Sequence, residues 1–324
     1  MGSPRVSLLS AALVACAVLV RASSAQTPNL RPDGNRSQGA VIKVHSDLVV
    51  LHVAVLDRAS RFVSTLAQHQ FRVYEDGVPQ TISFFSREDQ TATIGLVVDN
   101  SGSMQKKRGD VIVASLAFAR ASNPLDQLFV VHFNERVWMG LPEGMSFTSD
   151  VVTLARALAQ VDARGQTALY DAVGRGLEHL GGAANSRRVL VVISDGGDNS
   201  SATRFEALLQ HALQMDTVIY TIGLYDETAV DRNLRVLKQL SAETGGEAFL
   251  PDTVQNAAKV LERIAHDIRN SYTIGYVPTN ASRDGKYRTI RVSVDSSGRE
   301  KSKVRVRSGY LAPSDAASRE PSAR

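Results

Sequence analysis

The centre of the chain alternates between short, wholly apolar runs and segments whose apolar residues recur every three or four positions. A strand that is apolar on both sides is buried on both faces, which is typical of parallel strands covered by helices. Residues spaced by three and four share one face of a helix. The sequence therefore predicts a doubly wound, mostly parallel α/β sheet over residues 91–270. The apolar runs are residues 94–98, 128–131, 189–193 and 218–222, and the helical faces are Val151, Leu154, Leu158 and Val161, then Ala172, Leu177 and Leu180, then Leu234, Leu237 and Leu240, and finally Val254, Ala258, Leu261 and Ile264.

Both flanks of this centre show the period-two alternation of half-exposed strands. Because the two ends of a domain often lie close together, we expect residues 41–88 and residues 271–312 to pair into one small β-domain, with the α/β domain inserted between them. Asp76-Gly77 lies between two alternating segments, as a hairpin turn does. The alternating segments are residues 71–75, 82–86, 290–294 and 304–306.

The N-terminus has the features of an export signal. Arg5 precedes the apolar residues 6–20, and small residues up to Ala25 offer a cleavage site. We therefore predict a signal peptide over residues 1–25 and a periplasmic or extracellular protein. An uncleaved anchor is one alternative, although the run is shorter than the ~20 residues that usually span a bilayer. Lipid attachment at Cys16 is another, because the residues before it resemble those that precede the lipidated cysteine of bacterial lipoproteins.

The two ends of the predicted mature chain are polar. Residues 26–40 are rich in Pro, Gly and Asn, and they predict a flexible leader. Residues 313–324 predict a disordered tail. No segment after the signal is long and apolar enough to predict a membrane span.

Composition argues against several classes of function. Cys16 is the only cysteine, and its loss with the signal would leave no disulfide and no thiolate metal site. The chain has 37 Lys and Arg against 33 Asp and Glu, and removal of Arg5 and Arg21 changes the net charge from +4 to +2. Such a weak charge does not predict nucleic-acid binding. The glycine-rich motifs of nucleotide-binding loops and the Gly-x-Ser-x-Gly motif of hydrolases do not occur.

Two aspartates follow apolar runs. Asp99 comes directly after the first run, and Asp195 follows the run at residues 189–193. Ligands of open parallel sheets bind beyond the carboxyl ends of strands, at the point where the first and fourth strands of the usual doubly wound order meet. The run before Asp195 is the fourth strand if a short strand near residues 136–141 is counted. We therefore expect the two aspartates to share one crevice.

Hydroxyl groups accompany these carboxylates. Ser101 and Ser103 lie in a tight loop after Asp99, where Gly102 permits the turn, so both hydroxyls can face one point. Thr167 precedes a predicted helix on the same side of the sheet. Carboxylates and hydroxyls together suit a hard divalent cation such as Mg²⁺, which prefers about six oxygen ligands and keeps some waters.

Three sequence blocks, in this order, resemble those of von Willebrand factor type A domains with a complete metal-ion-dependent adhesion site. They are Asp-x-Ser-x-Ser at residues 99–103, Gly-x-Thr-Ala-Leu-Tyr-Asp-Ala at residues 165–172 and Ser-Asp-Gly at residues 194–196. The first block alone is a weak signal, but the three together are specific. The resemblance covers residues 91–270 and implies the doubly wound fold of that family.

The resemblance also implies a role for five residues. Ser101, Ser103 and Thr167 are implied to be hydroxyl ligands of the metal, and Asp99 and Asp195 to be carboxylates that bind it mainly through water. The metal is implied to be Mg²⁺ or Mn²⁺, with one coordination position open to an Asp or Glu carboxylate of a protein partner. With few direct carboxylates the cation stays electrophilic, which favours that incoming group.

The layout of the whole chain resembles an acidobacterial-type family of exported proteins related to von Willebrand factor type A domains. A stretch like residues 71–77 precedes the domain in that family, and stretches like residues 272–278 and 307–310 follow it. This resemblance supports the domain boundaries and implies a bacterial source, but it adds no ligand.

The sequence thus predicts an exported, metal-dependent protein-binding protein that is not an enzyme. One alternative is a metal-independent scaffold that uses the fold only as an interaction surface. Another is a hydrolase in which the metal activates water. That alternative needs a general base near the metal, and the sequence reveals none.

Other polar residues are interpreted without a role in metal binding. Asp171 would lie in the first turn of a helix, where an acid is favourable, and Asp198 would be a solvated or helix-capping acid. His52 is interpreted as an ordinary surface or half-buried residue. Arg291, Lys303, Arg305 and Arg307 are assigned to a solvated strand face, where basic residues discourage edge-to-edge pairing. The alternative is a patch for an acidic partner or envelope surface.

Overall fold

The computed structural model of the protein describes residues 48–159, 161, 163–195, 197–225, 234–295 and 302–314. The predicted signal peptide and leader and nearly all of the predicted tail lie outside the described residues. The strands are β1 (Val49–Leu56), β2 (Phe71–Glu75), β3 (Val78–Gln80), β4 (Ile82–Ser86), β5 (Ala92–Asp99), β6 (Gln127–Phe133), β7 (Val137–Met139), β8 (Arg187–Ser194), β9 (Val218–Gly223), β10 (Ala248–Phe249), β11 (Tyr272–Tyr276), β12 (Tyr287–Val294), β13 (Lys303–Arg305) and β14 (Gly309–Leu311). The helices are α1 (Arg108–Ala121), α2 (Val151–Ala159), α3 (Leu169–Leu180), α4 (Phe205–Gln214), α5 (Leu234–Thr244) and α6 (Ala257–Asn270).

The central sheet has six strands in the order β7-β6-β5-β8-β9-β10. All are parallel except β7, which runs antiparallel to β6. Counted from β5, this is the doubly wound order 3-2-1-4-5-6. Helix α1 contacts α2 and α6, while α4 contacts α3 and α5, so the helices form two groups. The predicted sheet is confirmed, and so is the expectation that its first and fourth strands, β5 and β8, are neighbours.

Burial explains why these strands lack polar alternation. All eight residues of β5 are buried, because strands flank it on both sides and helices cover the sheet. A Cβ atom on Gly95 would lie 2.3 Å from the ring of Phe129 and 2.6 Å from a methyl group of Leu190. This tight packing holds β5 in place and thereby fixes the position of Asp99 at its end.

The apolar pattern misses two helices, α1 and α4, and extends α2 too far. In α1 the apolar residues lie around the helix and include Val113, which is 64% exposed, so no single face repeats. Helix α2 ends at Ala159, before Val161. Val254 lies in a short 3-10 turn that precedes α6.

The two flanks pair as expected, and their strands form two sheets. Each four-stranded antiparallel sheet combines strands from both flanks, in the orders β13-β1-β11-β4 and β14-β12-β2-β3. Apolar side chains of the two sheets share one core, which includes Leu51, Phe71, Tyr272 and Ile290. The flanks therefore fold together around the inserted α/β domain.

The turn predicted at Asp76-Gly77 joins two paired strands, but the strand that pairs with β2 is β3 and not residues 82–86. Asp76 and Gly77 have positive φ angles of 48° and 81° and turn the chain from β2 into β3. Residues 82–86 form β4, which belongs to the other sheet. The alternating pattern identified both strands, but only long-range pairing decided which sheet each one joins.

A buried glutamate connects the three stretches that carry the whole-chain resemblance. Glu75, from residues 71–77, accepts hydrogen bonds from the hydroxyl of Tyr276 at 2.8 Å and from that of Tyr310 at 2.9 Å. The guanidinium of Arg288 lies 3.9 Å from its other oxygen. Burial and the Glu75 contact raise the pKa of both tyrosines, so they remain hydrogen-bond donors at neutral pH.

The assignment of Arg305 and Arg307 to a solvated face is wrong. Arg305 forms ion pairs with Asp267 of α6 and with Glu247. Arg307 forms an ion pair of 2.7 Å with Asp216. Both arginines lie at the junction between the β-sheets of the flanks and the α/β domain, and they hold the two together.

No helix in the described part of the chain has both the length and the apolar character of a membrane span.

Candidate metal centre

The five predicted site residues lie at the carboxyl end of the central sheet, in three loops. Loop A (residues 99–105) follows β5, loop B (residues 163–168) precedes α3, and loop C (residues 197–203, together with Asp195) follows β8. Because β5 and β8 are paired neighbours, loops A and C begin side by side. Gly196 lies outside the described residues.

Backbone hydrogen bonds join loop B to loop A. The amide of Gly102 donates to the carbonyl of Gly165 at 3.1 Å, and the amide of Arg164 donates to the carbonyl of Asn100 at 2.8 Å. Gly165 has a φ of +82°, a conformation that favours glycine. Loop B is therefore held against the Ser101–Gly102–Ser103 turn.

Thr167 joins loop B to loop C. Its carbonyl accepts from the amides of Asn199 at 3.0 Å and Ser200 at 3.1 Å. Its own amide donates to Oδ1 of Asn199 at 2.9 Å. The structure thus brings together three segments that are about 30 residues or more apart in the sequence, as the strand-end argument predicted.

Asp99 is a buried carboxylate, with only 3% of its surface exposed. Its Oδ1 accepts from the amide of Ser101 at 2.8 Å, and its Oδ2 accepts from the hydroxyl of Ser194 at 2.6 Å. Burial and, to a smaller extent, the charge of nearby Asp195 raise the pKa of Asp99 to about 6, although these hydrogen bonds oppose the increase. A cation beside Asp99 would offset the free-energy cost of burying its negative charge.

The residues that carry the proposed hydroxyl ligands differ in exposure. The Oγ atoms of Ser101 and Ser103 are 3.1 Å apart. Ser101, Thr167 and Asp195 are buried, whereas Ser103 is exposed. The site is therefore closed on its protein side and open beside Ser103.

Two further polar side chains lie at this site. Ser194 is part of the Ser-Asp-Gly block, and its hydroxyl supports Asp99 directly. Glu135 is an exposed carboxylate on the rim, and its Oε2 accepts from the amide of Gln166 at 3.2 Å. No sequence signal marks Glu135, because it reaches loop B only through the tertiary fold.

Asp171 and Asp198 hold loop C through hydrogen bonds to backbone amides. Asp171 accepts from the amides of Ala202 at 2.8 Å and Thr203 at 2.9 Å. Asp198 accepts from the amide of Tyr170 in the first turn of α3 and from that of Ser201. These contacts agree with the interpretation of both acids as structural.

The donor set fits a hard divalent cation. The candidate ligands are two carboxylates and three hydroxyls. Among the described residues, no group of three or more His, Cys, Asp or Glu side chains comes together. Mg²⁺ and Mn²⁺ accept such oxygen ligands and complete their shells with water.

Comparisons with known proteins agree with this fold. A sequence model of the von Willebrand factor type A domain matches residues 94–197. The chain is similar in structure to a von Willebrand factor type A protein from Catenulispora acidiphila, with 11% identity, a TM-score of 0.50, and coverage of 84% of this chain and 75% of that one. At this identity the likeness concerns the fold alone. No curated protein matches the sequence.

Shorter similarities occur as well. Proximal thread matrix protein 1 from the mussel byssus is 15% identical, with a TM-score of 0.45 and coverage of 56% of this chain. This chain spans 49% of the mussel protein's length. Another structure of the mussel protein, with a TM-score of 0.44, 15% identity and coverage of 56% and 48%, has zinc in its metal-ion-dependent adhesion site.

Proposed function

We propose that the von Willebrand factor type A domain contained in this chain binds Mg²⁺ or Mn²⁺ and, through that cation, a carboxylate of a protein partner. The proposed ligands are the hydroxyls of Ser101, Ser103 and Thr167 and the carboxylates of Asp99 and Asp195. The protein acts outside the cytoplasm as a binding protein and not as an enzyme.

The observation that carries this proposal is the convergence of loops A, B and C. Direct hydrogen bonds connect Gly102 with Gly165 and Thr167 with Asn199, so contacts within the protein hold the three loops that carry the proposed ligands against one another. Preformed ligands lose little conformational freedom when a cation binds. A metal-independent scaffold has no need for a buried carboxylate at this point.

The composition of the site supports a role in recognition. Two carboxylates that bind mainly through water neutralise the cation only in part, so it would attract a further negative oxygen. The exposed position of Ser103 leaves an approach for that group from solvent. An Asp or Glu side chain of a partner supplies the required charge and geometry.

Thermal unfolding with and without metal tests the cation. At a Mg²⁺ concentration ten times the dissociation constant, binding stabilises the protein by about 1.4 kcal/mol, or about 3 °C for a domain of this size. Asp99→Asn keeps the shape of the side chain, and Ser194 can still hydrogen-bond to it, but the variant is expected to lose the metal-induced shift.

Asp126→Asn is the matched control. Asp126 is equally buried in the same domain, but it accepts from the amide of Ala92 at the opposite end of β5. This variant should keep the Mg²⁺-induced shift. Loss of the shift in both variants, or in neither, would contradict the proposed ligand set, and no shift in the wild type would favour the metal-independent scaffold.

Bound Mn²⁺ tests the open coordination position. Water exchanging on protein-bound Mn²⁺ speeds the relaxation of bulk water protons. Acetate, the simplest carboxylate, is expected to lower that relaxation rate by replacing a water, whereas acetamide is not. Equal effects of the two compounds would argue against carboxylate recognition while leaving the metal site intact.

A further inference from the structure

Asn100 lies in loop A between two proposed ligands, Asp99 and Ser101, yet its side chain bonds away from them. It is 1% exposed. Its Nδ2 donates to the carbonyl of Val98 at 2.9 Å and lies 3.1 Å from Nδ1 of His132. Its Oδ1 accepts from the guanidinium of Arg108. Val98 offers only an acceptor and Arg108 only donors, so these two partners determine the orientation of the Asn100 amide.

The hydrogen bonds of His132 are equally well defined. Its Nε2 lies 2.9 Å from the carbonyl of Ala157 in α2, which can only accept, so Nε2 carries the proton. Nδ1 is then an acceptor and receives the hydrogen bond from Asn100. Burial lowers the pKa of His132 to about 4, so the ring is neutral at pH 7 and holds this one tautomer.

Arg108 connects the same amide to two helices. It is the first residue of α1, and its Nη2 also donates to the carbonyls of Leu158 and Ala159 at the end of α2, each at 3.1 Å. The Asn100 side chain therefore connects loop A to β6 through His132, to α1 through Arg108, and to α2 through both. None of these contacts involves a proposed metal ligand.

We propose that Asn100 and His132 are positioning residues that hold loop A in its metal-binding conformation. This inference rests on the proposed function. The hydrogen bond from Asn100 to Nδ1 of His132 keeps the side chain of Asn100 inside the domain, and the backbone of its neighbours Asp99 and Ser101 follows. Without that acceptor, loop A samples conformations in which the two ligands no longer face one point.

Trp138 gives this connection an optical reporter. Its ring stacks on His132 with the ring centroids 5.7 Å apart and the planes at 28°, and it is the only tryptophan in the chain. A cation that binds in loop A is expected to change the fluorescence of Trp138 through Asn100 and His132.

Two substitutions of His132 separate positioning from stability. In His132→Asn the side-chain Oδ1 can take the place of Nδ1 and accept from Asn100, but the contact with Ala157 is lost. In His132→Gln the terminal amide can take the place of Nε2 and donate to Ala157, but the acceptor for Asn100 is lost. Each variant loses one buried hydrogen bond, so both should unfold at similarly lowered temperatures in EDTA.

Metal affinity and hydrogen exchange are the two readouts. The Mn²⁺ dissociation constant, measured by calorimetry, is expected to stay within about threefold of the wild type in His132→Asn and to rise about tenfold in His132→Gln. In EDTA, the amides of residues 99–105 should exchange faster in His132→Gln than in His132→Asn. Addition of Mn²⁺ is expected to change the Trp138 fluorescence of the wild type, whereas both variants lack the imidazole ring that stacks on Trp138.

The outcomes separate this inference from the proposed function. A wild type that binds no Mn²⁺ would overturn the proposed function, and hydrogen exchange in EDTA would then decide the positioning role alone. Equal loop A exchange and equal metal affinity in the two variants would overturn the positioning role. If His132→Gln does not fold, Asn100→Ala replaces it, and unchanged exchange and metal affinity in that variant would equally refute the inference.

Discussion

The hydroxyl of Ser194 donates a hydrogen bond of 2.6 Å to Oδ2 of Asp99. The two residues end the neighbouring strands β8 and β5, and Ser194 is fully buried. Because the amide of Ser101 bonds to the other oxygen of Asp99, the carboxylate is held from two sides. The central sheet itself, by its register, orients the acid on which the proposed site depends.

Ser194→Ala should weaken metal binding and lower stability together. Loss of a hydrogen bond to a buried carboxylate costs about 1–3 kcal/mol, and it frees Asp99 to rotate. We expect a lower unfolding temperature in EDTA and a smaller Mg²⁺-induced shift. Ser115→Ala is the control, since Ser115 is also fully buried but its hydroxyl has no hydrogen-bond partner among the described residues. A normal Mg²⁺ shift in Ser194→Ala would show that Asp99 needs no such support.

Asp171→Ala should lower the stability of the protein without changing its affinity for the metal. The carboxylate of Asp171 fixes the two amides that lead into α4, and these hydrogen bonds lower its pKa although burial opposes them. Its loss is expected to cost about 1–2 kcal/mol. Urea unfolding gives the stability and calorimetry the Mn²⁺ affinity. A loss of Mn²⁺ affinity beyond about threefold would instead place Asp171 in the metal site.

Arg305→Ala should strongly destabilise the junction between the flanks and the α/β domain. It would leave Asp267, which is 1% exposed, without its cation, and breaking one side of a buried ion pair costs about 3–5 kcal/mol. Lys303→Ala, on the same strand but exposed, is expected to have almost no effect. Denaturant unfolding of both variants checks this. Equal stabilities would show that Arg305 contributes no more than a solvated residue, as the sequence suggested.

Acid should destabilise the metal-free protein through two buried histidines. Burial, with smaller contributions from Arg187 and Arg307, lowers the pKa of His52 to about 3, and burial lowers that of His132 to about 4. An unfolded histidine titrates near 6.5. As the pH falls below 6.5, the unfolded chain therefore binds protons that the folded chain does not, and stability is lost. Asp99 acts in the opposite direction, because its raised pKa of about 6 makes the folded state more stable below that pH.

The size of this effect can be checked in EDTA. Between pH 6.5 and pH 5 each histidine removes about 1.6 kcal/mol, and Asp99 returns about 1.2 kcal/mol. His52→Leu is expected to reduce the fall in unfolding free energy by about 1.6 kcal/mol, whereas His69→Gln, at an exposed position, should leave it unchanged. A fall of the same size in His52→Leu would show that His52 takes up its proton without unfolding.

His52 also shows where pattern analysis reaches its limit. It lies in strand β1, and the sequence indicates a surface or half-buried residue, yet it is only 9% exposed, and neither ring nitrogen has a hydrogen-bond partner among the described residues. The outer face of β1 is covered by the α/β domain. Alternation tells which residues share a face, but not whether another part of the chain covers that face.

The sequence by itself determined the doubly wound sheet, the presence of a β-domain built from both flanks, and the identity of five candidate ligands. These features follow from local patterns, because strand and helix periods and short motifs depend only on residues that are close together in the sequence. Only the tertiary structure decided the support of Asp99 by Ser194, the connection of Asn100 to His132, and the burial of Arg305 and Arg307 at the junction. Each of these contacts joins residues far apart in the chain, so each depends on strand register and packing, which no local pattern encodes.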